Sequence, residues 1–276
     1  MSGLVKFTVP ITTPCGKDVR IEGITNREYQ EIIKYCAIND YEGLESLFET
    51  LVFNKIPHKL NCIDKFYILI ALRIFFIDES ISILSNGKEI TLSLYKVLNN
   101  LDKIELENKI YNVDGIQLEL GYPDNLYYSN IDSYLDNIIT SLTLNGKSVL
   151  FESLTNLEKA EILNFLPNKC LSVIYNHFKN IVETFEDFIV VDENKDFNMD
   201  KISFNLISSN LISFIANIYG LNTISFFEML YVFVNKMKAD SDLFYSLPPI
   251  DSKILLNILN AEIKEQNDSL KTQHGL

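Results

Sequence analysis

Residues 60–77 read LNCIDKFYILIALRIFFI, and this stretch decides the fold. From Asp64 to Ile77 it has the length of a helix, and its side chains are polar only at the start and at Arg73. A helix that is apolar on all sides has no face suited to water. The pattern therefore predicts a helix at the centre of a hydrophobic core. Pro57 is expected to separate it from the helix before it.

The segment before this helix predicts a β-hairpin followed by two helices. Apolar and polar side chains alternate at 4–11 and again at 18–22, with turn residues between them. Thr25 and Glu28 have the spacing of a capping box, which predicts a helix start, and a second helix is expected at roughly 41–53.

The middle of the chain changes from helical to strand periodicity. Alternating residues flank an Asn-Gly pair at 86–87 and an Asp-Gly pair at 114–115. Both pairs favour the tight turns of β-hairpins, so two hairpins are predicted within 79–122. At 129–144 apolar residues recur with helical spacing, which predicts a return to helix.

The following segment is predicted to be helical and to end in a hairpin. Thr155 and Glu158 form a second candidate capping box, and an amphipathic helix is expected over 171–182. Two apolar runs on either side of an acidic turn predict one more hairpin within 188–204.

The last part of the chain, 206–259, again shows helical periodicity, with a strongly apolar helix at 226–234 that is expected to lie in the core or to form an intersubunit contact. A Pro-Pro pair at 248–249 is suited to open the final helix. The polar residues 267–276 predict a frayed end.

The sequence therefore predicts an α+β fold that is predominantly α-helical and carries small antiparallel β-hairpin units. The predicted regions are an N-terminal hairpin with helices, a β-rich insertion, a helical region with a terminal hairpin, a C-terminal helical region and a flexible tail, at residues 1–78, 79–122, 123–205, 206–266 and 267–276.

The amino-acid composition argues against some classes of binding partner. The chain has 276 residues, 47% of them hydrophobic, and its 24 Lys and Arg against 37 Asp and Glu give a formal net charge of −13. Such a charge repels phosphate backbones and anionic lipids, so neither nucleic acid nor membrane is predicted as a partner. Four widely spaced cysteines without a C-x-x-C pair predict reduced thiols and a cytoplasmic setting.

Catalytic motifs are missing from the sequence, which has no nucleophile elbow, zinc-protease, P-loop or dinucleotide-binding pattern. Cys170 and His177 are seven residues apart, about 10 Å along a helix, which is too far for a nucleophile and its base. We therefore predict no catalytic residue, no cofactor and no metal site, and interpret His177 as a surface or groove side chain.

Three acidic segments are interpreted as solvated surface. The loop 192–196 lacks the central Gly and the closing Glu of a calcium-binding EF-hand loop. The segment 251–253 and the glutamates Glu42, Glu45 and Glu49 have the pattern of solvated helix faces.

Aromatic residues are abundant, with 14 Tyr and 18 Phe. Core packing accounts for most of them, but aromatic side chains near loops are also enriched in protein interfaces. The candidate interface residues are Tyr127, Tyr128, Phe226, Phe227, Phe244 and Tyr245. They favour an interaction protein over an enzyme.

Three stretches, in the same order, resemble the base plate hub proteins of T-even-type contractile-tailed bacteriophages. The opening segments KFTVPI, GKDVRI and ITNREY, within 6–29, are similar to that family's hairpin and T-x-x-E helix. Residues 60–73 resemble its apolar helix, with Asp near the start and Leu-Arg near the end. Residues 145–184 resemble its turn, capped helix and following helix.

This resemblance implies a non-enzymatic structural or chaperone-like component of the base plate hub, with other tail proteins as partners. It implies assembly in the host cytoplasm and a place in the virion tail. Relatives with paired cysteines in the hairpins suggest a zinc site, but 109–120 and 186–204 contain no cysteine, so the site is not carried over. An acidic host-interaction or regulatory module, and an enzyme without a recognisable motif, are the alternatives.

Overall fold

The computed structural model describes residues 7–85, 88–102, 108–128, 134, 137–188, 210–221 and 223–274. Helices account for more than half of them and the strands form small antiparallel sheets, which confirms the predicted α+β class. The helices are α1 (Asn26–Ile38), α2 (Tyr41–Leu51), α3 (Cys62–Phe76), α4 (Leu94–Leu101), α5 (Asn156–Phe165), α6 (Asn168–Phe188), α7 (Asn210–Gly220), α8 (Thr223–Tyr231), α9 (Ser241–Ser246) and α10 (Pro249–His274).

The strands follow the predicted hairpins of the N-terminal and middle regions. They are β1 (Thr8–Thr12), β2 (Asp18–Glu22), β3 (Ser80–Ser85), β4 (Lys88–Ser93), β5 (Lys109–Val113), β6 (Ile116–Leu120), β7 (Ile139–Leu144) and β8 (Lys147–Leu150). β1 pairs with β2, β3 pairs with β4, and β5 to β8 form a four-stranded sheet in sequential order. Asp114 and Gly115, between β5 and β6, have φ angles of 49° and 85°, as the predicted tight turn requires.

The strand β7 corrects the prediction of a helix over 129–144. In the sheet Leu142 lies opposite Leu118 and Ile139 lies opposite Leu120, so β7 contains one extra residue, a β-bulge. The two inward side chains of β7 are therefore three residues apart, which imitates helical spacing. The β-rich part of the chain consequently extends beyond the predicted insertion, to the end of β8.

α3 lies at the centre of the core, as its sequence predicts. All of its residues except Phe75 are buried, and it packs against β2, α4, α7 and α10. The Phe66 and Phe214 ring centroids are 5.7 Å apart, and the Tyr219 hydroxyl donates to the carbonyl oxygen of Leu69 at 2.8 Å. Helix α7 is thereby held against α3 by both apolar and polar contacts.

The acidic and basic residues near the two ends of α3 are buried and paired. Asp64 binds the ammonium of Lys17 at 2.7 Å. Arg73 donates from Nε to the carbonyl of Ile218 at 3.2 Å and from Nη1 to the carbonyl of Asp78 at 2.7 Å. Ile218 lies in the last turn of α7, where helix carbonyls lack intrahelical partners, so the guanidinium caps that helix.

Both predicted capping boxes are present. The Thr25 N–H donates to Glu28 Oε2 at 2.7 Å, and the Glu28 N–H donates to Thr25 Oγ1 at 3.2 Å. Thr155 and Glu158 repeat this reciprocal arrangement at the start of α5. The predicted starts of α1 and α5 are therefore confirmed. A capping box can be predicted from sequence because its two residues are only three positions apart.

The apolar stretch 226–234 is divided between α8 and a π-helical turn, Val232–Lys236. Phe226 and Phe233 are buried, but the opposite side of α8 is exposed. The expectation of a core helix is therefore correct for one face only.

Two other expectations concern the ends of elements. α6 continues to Phe188, and the remainder of the predicted 188–204 hairpin, like most of 129–136, lies outside the described residues. α10 continues to His274, past the boundary predicted at 267, and neither Gly nor Pro occurs within 250–274. The flexibility of 267–276 stays a prediction.

The buried position of α3 leads to a stability prediction for Ala71→Asp. This substitution places an unpaired carboxylate among apolar side chains, and we expect it to lower the free energy of unfolding by about 3–5 kcal/mol, measured by urea denaturation. Ala37→Asp on the exposed side of α1 is the matched control, with a cost below about 1 kcal/mol. Equal stability of the two variants would contradict the central position of α3.

Candidate functional site

Four of the six predicted interface residues lie together. Phe226 and Phe227 come from α8, and Phe244 and Tyr245 come from α9. The Phe244 ring centroid lies 5.5 Å from that of Phe226, 5.6 Å from that of Tyr245 and 5.2 Å from that of Phe233 in the π-helical turn. These five residues are called the aromatic cluster below.

The interior of the aromatic cluster is core, and only its rim faces water. Phe226 and Phe244 are fully buried, so they stabilise the packing of α8 and α9 and present no surface to a partner. Phe227 is 46% exposed, and Tyr245 is partly exposed with the Arg27 guanidinium 5.7 Å from its ring centroid. Contact with a partner stays a prediction for Phe227 and Tyr245.

A buried amide fastens the aromatic cluster to the N-terminal part of the chain. Asn26, at the start of α1, donates from Nδ2 to the carbonyl of Phe244 at 2.8 Å and to Ser252 Oγ at 2.6 Å. Its backbone N–H donates to the carbonyl of Leu247 at 2.7 Å. One side chain thus joins α1, α9 and α10.

The interpretation of 251–253 as a solvated helix face is wrong for Ser252 alone, since the Lys253 side chain is 44% exposed. Ser252 is fully buried in its contact with Asn26. Lys253 forms an ion pair with Asp78, directly after α3. Asp251 is exposed, as predicted.

Tyr127 and Tyr128 lie apart from the aromatic cluster, beside α2. Tyr128 is buried, and its hydroxyl accepts the backbone N–H of Asn125 at 2.9 Å. The Tyr127 ring is partly buried, with its centroid 6.5 Å from that of Tyr41. Tyr128 therefore holds its own loop in place, and contact with a partner stays a prediction for Tyr127.

Glu45 fixes the same loop to α2. Its side chain is buried, with Oε1 accepting the N–H of Leu126 at 2.6 Å and Oε2 accepting the N–H of Tyr127 at 3.0 Å. Two backbone donors replace the water that the carboxylate loses on burial. Burial raises the pKa of Glu45, and the hydrogen bond from Leu126 opposes that rise.

The predicted solvated face of α2 is therefore only partly correct. Glu42 is exposed, but Glu49 pairs with the ammonium of Lys65 and Glu45 is buried. The Lys65 ammonium also lies 5.3 Å from the ring centroid of Phe53. Glu45 and Glu49 contribute to packing as well as to surface charge.

These carboxyl groups and the two tyrosines line a groove of about 390 Å³, called the acidic groove. Its lining includes Glu42, Glu45 and Glu49 from α2, together with Tyr127 and Tyr128. Negative potential and hydrogen-bonding side chains suit a positively charged group of a partner and repel anions.

His177 is buried between α6 and the four-stranded sheet, which corrects its interpretation as a surface side chain. Its Nε2 lies 3.1 Å from the carbonyl oxygen of Gly121, and its Nδ1 lies 3.3 Å from the Tyr111 hydroxyl. A carbonyl can only accept, so Nε2 carries the proton and Nδ1 accepts from Tyr111. Burial lowers the pKa of His177.

Cys170 does not supply a nucleophile for this histidine. The thiol is buried, and burial raises its pKa, which keeps it protonated and unreactive. Among the described side chains, no three His, Cys, Asp or Glu residues lie close enough together to hold a metal ion. Both side chains considered for catalysis are buried.

Sequence reasoning missed Glu45, Asn26 and Ser252. Helical geometry carried a signal for Glu45, because it adjoins Leu44 and precedes Phe48 by three residues, which places it at the edge of the buried face. Asn26 and Ser252 gave no local signal, since their contact joins positions 226 residues apart.

The candidate surfaces thus consist of aromatic rims, exposed apolar helix faces and an acidic groove. Exposed apolar and aromatic surfaces of this kind are typical of proteins that bind other proteins. No helix in the described part of the chain combines the length and apolar character needed to cross a membrane.

The profile described as T4 bacteriophage base plate protein matches residues 5–214. The chain belongs to this family, and membership implies a structural or assembly role in a phage tail, in contact with other tail proteins. Searches of curated proteins and of solved structures found no match.

Removal of the Glu45 carboxylate tests how the loop is held. We expect Glu45→Ala to lower the free energy of unfolding by about 1–3 kcal/mol, because the N–H groups of Leu126 and Tyr127 lose their acceptors. Glu42→Ala, on the exposed side of the same helix, is the control and should change stability little. Urea denaturation measures both, and an equal effect would contradict the anchoring role.

The lowered pKa of His177 predicts a pH-dependent stability. The unfolded state takes up the proton more readily, so stability falls as the pH decreases from 6.5, the ordinary histidine value, towards the lower folded-state pKa. We expect His177→Gln to reduce this loss in thermal melts between pH 7 and pH 5 (about 1.4 kcal/mol per unit of pKa shift). Exposed His58→Gln is the control, and an unchanged pH profile in His177→Gln would contradict the prediction.

Proposed function

We propose that this chain is a non-enzymatic component of the base plate hub, or of hub assembly, and that it acts by binding other tail proteins. The observation that carries the proposal is the family match over 5–214. That range contains every described element from β1 to α6 and the start of α7. It therefore includes α3 together with β2 and α4, which pack against it, so the match concerns the core of the chain and not a peripheral segment.

Exposed apolar side chains within the matched range support binding to other proteins. Helix α5 has no buried residue, and Leu157 and Phe165 on it are 71% and 87% exposed. Tyr175 on α6 is also exposed. Large apolar side chains in such numbers are typical of surfaces that become covered in an assembly.

The hub assignment is supported by the resemblance of residues 4–77 and 145–184 to hub proteins. A permanent subunit and a transient assembly chaperone would share these features, and both would meet their partners in the host cytoplasm. Only the permanent subunit would remain in the virion tail. The buried state of Cys170 and His177 weighs against the enzymatic alternative that uses them.

The proposal predicts that the chain accompanies base plate proteins in the phage that encodes it. Mature particles and tail precursors are separated on a gradient, and the chain is quantified in each by mass spectrometry relative to other base plate proteins. A constant ratio in mature particles is expected for a structural subunit, and presence in precursors alone is expected for an assembly chaperone.

Absence from both fractions would overturn the proposal. Tail proteins are quantified in the same fractions, which provides the internal control for recovery. A chain found only free in the lysate would instead favour the host-interaction alternative.

A further inference from the structure

Helix α10 lies after the residues that match the family, and its first half is fixed to the core. Pro249 and Ser252 are buried, and Leu256 and Leu259 are partly buried, on the side that packs against α3 and α8. At 100° per residue these four positions share one stripe of the helix. The remaining circumference of α10 faces outward.

The outward side of α10 carries an apolar patch. Ile254 is 50% exposed, Leu255 is 37% exposed and Ile258 is 52% exposed. Ile254 and Ile258, four residues apart, are turned away from Ser252, and Leu255 lies beside them at the edge of the buried stripe. Three large aliphatic side chains are therefore held in water by a helix that is already anchored.

Carboxylates border this patch at both ends. Asp251 precedes it, and Glu262 and Glu265 follow it on the same side of the helix, all exposed. The two lysines of this segment, Lys253 and Lys264, project from another side, and Lys253 is occupied by Asp78. Asp251, Ile254, Leu255, Ile258, Glu262 and Glu265 are called the α10 face.

An apolar stripe on the adjoining helix extends the exposed apolar area of this region. Ile224, Phe227 and Tyr231 follow helical spacing on the solvent side of α8, which packs beside α10. Glu228 is the single charged side chain of α8. Both helices therefore present exposed aliphatic or aromatic groups, accompanied by acidic groups.

The charges decide which occupant fits the α10 face. Two copies in parallel would bring Asp251 against Asp251, and two antiparallel copies centred on Ile258 and Leu255 would bring Asp251 against Glu262. Like charges at such distances oppose association, and the net charge of −13 adds to the repulsion. A partner with positive charges around an apolar stripe gains attraction at the same positions.

We propose that the α10 face binds an amphipathic helix of another protein, whose apolar side chains at i, i+3 or i+4 and i+7 are flanked by Lys or Arg. This inference rests on the proposed function as a protein-binding component and names one of its surfaces. Ile254 and Ile258 provide the apolar contact, and Glu262 and Glu265 select the charge of the partner.

Fluorescent helical peptides of about 15 residues test the proposal with the full chain. One peptide has Leu at these three apolar positions and Lys beside them, a second has Glu in place of Lys, and a third has Ser in place of Leu. Fluorescence anisotropy at low salt is expected to show the tightest binding for the Leu and Lys peptide. Ile254→Ser with Ile258→Ser should weaken it by about tenfold or more.

Charge reversal provides the second measurement. We expect Glu262→Lys with Glu265→Lys to reverse the preference, so that the Leu and Glu peptide binds more tightly than the Leu and Lys peptide. Leu157→Ser with Glu161→Lys on exposed α5 is the matched control and should leave the preference unchanged. All these positions are exposed, and thermal melts check that each variant is folded.

Equal binding of the Leu and Lys peptide to the parent and to the α10 variants would overturn the inference. Self-association that disappears in Ile254→Ser with Ile258→Ser would also overturn it, because it would assign the face to a second copy. Neither result affects the gradient experiment, so failure of this inference is distinguishable from failure of the proposed function.

Discussion

The arrangement of the helices depends on the hydrogen bonds that the buried guanidinium of Arg73 donates to two backbone carbonyls. The guanidinium binds the last turn of α7 through the carbonyl of Ile218 and the segment after its own helix through the carbonyl of Asp78. The carboxylate of Asp78 in turn accepts from Lys253 of α10 and from the backbone of Ser80 in β3. Burial acts to raise the pKa of Asp78, but the Lys253 contact and the Ser80 hydrogen bond outweigh it, and the pKa is lowered. A buried charge is tolerated only with partners of this kind, so α3, α7, α10 and β3 must all be in place together.

Local signals made part of this fold predictable from sequence. The central helix, the capping boxes at Thr25 and Thr155 and the Asp-Gly hairpin each depend on residues within a few positions of one another. The strand β7 was not predictable, because a bulge gave its inward side chains the spacing of a helix. The spacing of apolar residues correctly indicated which side chains of β7 are buried, but it did not distinguish a bulged strand from a helix.

The candidate surface was predictable only in part, for a different reason. Two of the aromatic pairs predicted as interface lie where α8 and α9 meet, but residue type could not separate the buried Phe226 and Phe244 from the exposed Phe227. Glu45 and His177 are held by backbone groups 81 and 56 residues away. No residue close to either of them in sequence indicates these partners. Polar side chains were assigned to the surface by residue type, whereas the fold uses several of them to hold loops.

The contact between Asn26 and Ser252 has a consequence for the order in which the chain can fold. A ribosome releases α1 early, but the groups that accept hydrogen bonds from the Asn26 amide belong to α9 and α10, which lie 218 and 226 residues further along the chain. Until then the face of α1 that later meets the aromatic cluster remains exposed to water, along with Tyr29, whose ring packs on Phe226. Long-range closure of this kind is slow and leaves apolar surface uncovered during synthesis. The nascent protein therefore reaches its native surface only after nearly the whole chain has been translated.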